Sequence, residues 1–153
     1  LVPAFTGLGA PHWDMYARGA LVGLTRGTKP EHIIRAAQES IAYQSYDLVD
    51  AMEKDAGVTL SQLRVDGGAS RDGFLMQFQA DISDLPVFRP ESMEATARGA
   101  ASLAGLACGL FPDRDAVQAT LRAGTSFTPS MSPDQREALL SGWHRAVEAC
   151  RVF

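Results

Sequence analysis

An α/β fold, with helices packed against a sheet, is the class this sequence predicts. Three observations carry that expectation. Short apolar runs of strand length alternate with longer segments of helical periodicity, a pattern that favours α/β layering. A strand passes directly into a helix through paired glycines at Val65-Asp66-Gly67-Gly68-Ala69-Ser70. The 153 residues, 46% apolar and 21% charged, can bury one core without disulfides or a structural metal. Surface scaling gives ~7,500 Å² folded against ~24,000 Å² unfolded. Neither a repeat of useful length nor a serine- or glycine-rich linker divides the chain, so residues 1–153 read as one unit.

The elements follow in order. Residues 1–5 and 20–24 are apolar runs of strand length, and the glycine- and proline-rich stretch between them reads as a long loop. A long helix spans about 28–55. Thr28 and Glu31 form a T-x-x-E capping box with Pro30 in the first turn, and Gly57 stops the last turn. Ile34, Ala37, Ile41, Leu48 and Met52 recur at helical spacing and predict one core-facing stripe. Leu63-Arg64-Val65 is a short strand. Phe74, Leu75, Phe78 and Ile82 mark an amphipathic helix over about 71–83, and Leu85–Phe88 is a further strand, ended by Pro90. Small residues from Thr96 to Gly109 predict a closely packed helix. Pro112-Asp113 and Ser132-Pro133 open two more, the last carrying Leu139, Leu140, Trp143, Ala146 and Val147. Strand content is low for such a fold, so part of the sheet is expected from outside these residues.

Composition narrows the function. Fourteen basic and eighteen acidic side chains give 14 − 18 = −4, which argues against nucleic-acid binding. Cys108 and Cys150 stand far apart and form no C-x-x-C pair, so the simplest compartment is a reducing cytoplasm. The longest weakly polar run, Gly99 to Phe111, is too short to span a bilayer. No leader pattern opens the chain. It starts at Leu1 within an apolar run, which reads as a piece of a longer polypeptide.

The paired glycines are where chemistry is expected. They remove the Cβ atoms that would keep a ligand from the main chain. A helix start offers unpaired N–H groups and partial positive charge, which suits phosphate. Ser70 or Asp72 can serve as the N-cap. Plain turn geometry is the competing reading of the same residues.

The wider sequence resembles the glycerol kinase branch of the FGGY carbohydrate kinases. Ala4-Phe5-Thr6-Gly7-Leu8-Gly9-Ala10-Pro11-His12-Trp13-Asp14 carries the resemblance, with Tyr16–Ala20, Gly23–Gly27, Glu39–Gln44, Arg64–Ala69, Phe74–Asp81 and Gly99-Ala100-Ala101 in the same order. It covers roughly residues 1 to 110. The resemblance implies an actin-like ATPase (ribonuclease H-like) lobe, most of the C-terminal, nucleotide-binding lobe of a two-lobed kinase whose N-terminal lobe lies outside this chain. It implies ATP and Mg²⁺ in an interlobe cleft, glycerol as acceptor and sn-glycerol 3-phosphate as product. It also implies a homo-oligomer, with no nucleic acid and no membrane insertion. Nucleotide-binding residues would be Gly67, Gly68, Ala69 and Asp72, with Gly68 against the adenosine end. Asp72 departs from the family's usual asparagine and, ionised, can only accept hydrogen bonds. The family's catalytic carboxylate and glycerol-gripping side chains lie upstream, so no catalytic residue is assigned here. Two readings compete: a kinase for another polyol or sugar such as xylulose, and a non-catalytic actin-like nucleotide-binding module.

Other conspicuous residues have structural readings. His12, His32 and His144 lack metal-ligand spacing, and no metal site is expected. Trp13 is expected as a packing anchor, Trp143 as core and Cys108 as a small core residue. Arg18 and Arg26 brace loops, and Arg35 pairs with Glu39 one helical turn on. Asp14, Asp66 and Asp81 are the carboxylates that invite a chemical role. Asp66 is the best of them, and the structural alternative is that it fixes the turn through backbone hydrogen bonds.

Overall fold

The computed structural model describes residues 1–92, 94–120 and 124–151. Helix α1 is Pro30–Ala56, followed by strand β1, Leu63–Arg64. A 3-10 turn at Gly68–Arg71 leads into helix α2, Gly73–Ser83. Strand β2 is Val87–Pro90, helix α3 Ala95–Ala107 and helix α4 Arg114–Ala119. Strand β3, Gly124–Phe127, and helix α5, Pro133–Arg151, complete the order. The sheet is mixed, in order β1-β2-β3. Leu63 pairs with Val87 in the parallel ladder, and Val87 with Phe127 in the antiparallel one.

Helices pack on this sheet as expected. Leu75, Met76, Phe78, Ala80 and Ile82 of α2 meet Ala42 and Tyr43 of α1, and Leu140, Trp143, Val147 and Cys150 of α5. Val2, Ala4, Leu8 and Ala17 of the opening segment join the same core. Tyr43 stacks on Trp143 with centroids 5.2 Å apart and meets the Phe78 ring edge-on at 5.4 Å. Trp143 is core, as its spacing predicts.

The stripe expected to bury α1 does not. Ile34 is 62% exposed, Ile41 45%, Leu48 44% and Met52 57%. The core-facing side of α1 carries Ser40, Ala42, Tyr43 and Asp47 instead. Its polar members are satisfied. Ser40 Oγ donates to Ala37 O at 2.7 Å, and Asp47 Oδ2 accepts the Trp143 indole N–H at 2.7 Å. His12 Nε2 and His144 Nε2 stand 3.4 and 3.3 Å from the two Asp47 oxygens. The accessible surface is 10,035 Å², where scaling gives about 7,500 Å² for this mass. Much apolar surface is therefore uncovered, the α1 stripe included.

Several local expectations shift. Helix α1 begins two residues later than expected, and the Thr28–Glu31 box does not form. Lys29 is the N-cap residue, its N–H donates to His32 Nδ1 at 3.1 Å, and Thr28 Oγ1 instead accepts from Thr25 N. The stop is as expected, with Gly57 left-handed at φ 64°. Residues 1–5 and 20–24 form no strands. One bridge pair, Val2 with Ala20, joins the two runs, a second joins Phe5 to Gly7, and hairpin-like bonds between Leu8 and Asp14 bend the intervening chain back on itself. Trp13 is no packing anchor: it is 79% exposed, at φ 47°. Cys108 is exposed at the end of α3 rather than in the core. The unpredicted β3 is a Gly-Thr-Ser-Phe tetrapeptide with one large apolar residue, too little pattern for a strand signal.

Candidate nucleotide turn

Val65 N–H still donates to Phe88 O at 3.0 Å, so the chain leaves the sheet at Asp66. Gly67 then takes φ 81°, a left-handed value that strains any residue with a Cβ. The buried Ser70 closes the turn: its N–H and its hydroxyl both donate to Gly67 O, at 3.2 and 2.7 Å. A Cβ added at Gly67 or Gly68 would meet no other atom within 4 Å. Bare main chain thus faces open space at both positions.

Asp72 is the N-cap of α2. Its Oδ1 accepts from Phe74 N at 2.9 Å and Leu75 N at 3.3 Å. Its Oδ2 accepts from Gln38 Nε2 of α1 at 2.6 Å. Those first-turn N–H groups, expected to be free for a phosphate, are therefore already engaged. What stays open is the main chain of Gly67 and Gly68.

Two side chains that the sequence reading missed complete the turn. Gln38 is one. The other is Arg89 of β2, whose Nη1 donates to Ser70 O at 2.8 Å and Arg71 O at 3.2 Å. Its guanidinium also lies over the Phe127 ring at 5.1 Å. A charge inside the apolar run Val87-Phe88-Arg89 was the available signal.

Asp66 does not hold the turn. It is exposed and lines a cleft of about 730 Å³ between β1, β2, α3 and α4, where Arg64, Arg98 and Arg114 also stand. Gly67, Gly68 and Ala69 follow one another in the turn and Asp72 ends it, but none of the four lines that cleft. Asp14 and Asp81 are spent on loops. Asp14 Oδ1 accepts from Tyr16 N and Ala17 N, and Asp81 Oδ1 from Ser130 N, Ser130 Oγ and Met131 N. Arg18 braces its loop through Met15 O and Ala17 O, and Arg35 Nε pairs with Glu39 at 2.6 Å, both as expected. Among the described residues, no three His, Cys, Asp or Glu side chains gather as metal ligands.

Residues 1–108 match the family model described as the FGGY family of carbohydrate kinases, C-terminal domain. The chain belongs to the FGGY family of carbohydrate kinases. This FGGY chain is 59% identical over 151 residues to a glycerol kinase of Brachyspira hyodysenteriae, covering 99% of itself and 31% of that protein. It is 62% identical over 148 residues to a glycerol kinase of Dechloromonas aromatica, covering 97% and 30%. Among solved structures, Plasmodium falciparum glycerol kinase with ADP superposes with a TM-score of 0.88 at 38% identity, over 97% of this chain and 30% of that one. A ligand-bound xylulose kinase of Lactobacillus acidophilus gives 0.76 at 26%, with the same coverage. The FGGY chain therefore has the actin-like ATPase fold expected of it. It spans about three-tenths of the length of these relatives.

Proposed function

We propose that this chain is the C-terminal, nucleotide-binding lobe of an ATP-dependent glycerol kinase that forms sn-glycerol 3-phosphate. The observation that carries the proposal is identity near 60% with glycerol kinases along almost the whole chain. The open main chain at Gly67 and Gly68 fits a nucleotide, because a ligand can rest there without meeting a side chain. Gly68 would lie against the adenosine end, Gly67 would shape the turn, Ala69 would border it, and Asp72 would shape the rim by capping α2 rather than by donating to the base.

In that reaction a bond forms between the terminal glycerol oxygen and the γ-phosphorus, and the bond from that phosphorus to the bridging oxygen breaks. The hydroxyl proton passes to a carboxylate. Such transfer needs in-line positioning and charge neutralisation more than covalent work from the protein. We assign that carboxylate, and the groups that grip glycerol, to an N-terminal lobe outside these residues. Mg²⁺ would arrive with the nucleotide phosphates, and this lobe contributes positioning. The kinase acts in the cytoplasm on this reading, a compartment that suits two free cysteines. A homo-oligomer is the expected assembly.

A coupled ADP-release assay on the full-length protein tests this with glycerol, xylulose, gluconate and rhamnulose side by side. Glycerol is expected to give the highest kcat/KM. Higher kcat/KM on one of the others would transfer the assignment to that substrate, and nucleotide binding without turnover on any would favour the non-catalytic module.

A further inference from the structure

We propose that Arg89 is a positioning residue for nucleotide binding, acting through the turn and not by touching the ligand; this rests on the assignment of the turn to the nucleotide. A 3-10 segment of four residues has few internal hydrogen bonds and poor bond geometry, so it does not hold its own shape. Its carbonyls at Ser70 and Arg71 lie at the end where a helix leaves acceptors without partners. One Arg89 nitrogen serves both, at 2.8 and 3.2 Å.

The guanidinium carbon itself lies over the Phe127 ring, 5.1 Å from its centre. Arg89 and Phe127 belong to adjoining antiparallel strands, where Arg89 pairs with Thr125 and Val87 with Phe127. The contact therefore ties the turn to the β2–β3 pair. From inside, the turn is held by Ser70 on Gly67 O, and beyond its end by Gln38 on Asp72. Arg89 is the link that fixes the turn against the sheet. With it gone, Ser70 and Arg71 can swing, and Gly67 and Gly68 with them, so a nucleotide must order the turn on binding. Lysine can replace one carbonyl bond but not the planar stack, and is expected to restore part of the effect.

The experiment uses full-length Arg89→Ala and Arg89→Lys, with Gly68→Val as a control on the turn itself. Three quantities are read: the Kd of ATP by calorimetry, the KM of ATP against the KM of the acceptor, and Tm. Arg89→Ala is expected to weaken ATP about tenfold, the loss of two carbonyl bonds, with Arg89→Lys between it and the parent. The acceptor KM should move less than about twofold. Equal losses for both substrates, or ATP affinity unchanged in Arg89→Ala, would overturn the proposal. If Arg89→Ala does not fold, Arg89→Lys carries the test, since its loss must fall on ATP alone. Because ATP binding is measured directly, failure of glycerol as acceptor leaves the test intact. If Gly68→Val also leaves ATP binding unchanged, the turn itself is not the nucleotide site.

Discussion

Gln38 Nε2 donates to Asp72 Oδ2 at 2.6 Å and thereby joins the middle of the long helix to the N-cap of α2 across 34 residues of sequence. The same carboxylate caps α2 through Oδ1. Asp72 is thus a structural acceptor on both oxygens, and an acceptor-only side chain suits that position. Replacing it with alanine is expected to cost about 1 kcal/mol of stability, whereas Asp72→Asn keeps the cap through its one oxygen and keeps the bond to α1 once the Gln38 amide turns its oxygen toward the new NH2 group, so it should stay within about 0.5 kcal/mol. Denaturant unfolding of the full-length protein measures both. A larger loss in the asparagine variant would mean that the charge or the second acceptor oxygen, and not the cap alone, matters here.

The two glycines should separate under substitution. Gly67 sits at φ 81° and ψ 178°, backbone space that is essentially reserved for glycine, so Gly67→Ala should cost about 1–3 kcal/mol and lower Tm. Gly68 has open space around a would-be Cβ and no left-handed requirement, so Gly68→Val should leave Tm nearly unchanged. It should nonetheless raise the ATP KM about tenfold and spare the glycerol KM. Equal change in both constants would remove the adenosine assignment.

Asp47 is buried beneath three donors from two other segments, Trp143 and His144 of α5 and His12 of the opening loop. Asp47→Ala leaves the buried indole N–H without an acceptor. A loss of about 2–3 kcal/mol is expected, seen as a lower unfolding midpoint at unchanged m-value. Trp143→Phe in the same background should recover part of it by removing the orphaned donor. No recovery would show that packing around Trp143 dominates.

Asp14 has an acid-side signature. Hydrogen bonds from the N–H groups of Tyr16 and Ala17, with Arg151 nearby, hold its carboxyl below the ordinary 3.8. A carboxyl lowered in the folded state adds stability that is present above 3.8 and is lost as pH falls through its folded value. Asp14→Asn keeps an acceptor but cannot titrate. Its Tm deficit should therefore be largest above that pH and shrink below it, as thermal melts along an acid series would show. A deficit independent of pH would place the contribution in the turn geometry alone.

The elements legible in the sequence are those with local causes. Helix α2 follows from its periodicity and its Asp72 cap, the end of α1 from Gly57, the start of α5 from Ser132-Pro133, and the turn from adjacent glycines between strand and helix. Each is decided within a few residues, by hydrogen bonds and steric limits that neighbours impose. The family itself was legible in the same way, through ordered motifs.

Tertiary structure decided the rest. The spacing of Ile34, Ile41, Leu48 and Met52 told that one face of α1 is apolar, but not that the core would lie on the opposite side, with Tyr43 and Asp47. Burial is a property of what packs against a face, and periodicity carries no record of the partner. Gln38 and Arg89 became part of the turn only when α1 and β2 came beside it, from 34 residues before Asp72 and 19 residues after Ser70. Such bonds depend on a direction in space, and a linear sequence fixes direction only over the reach of a single turn or strand.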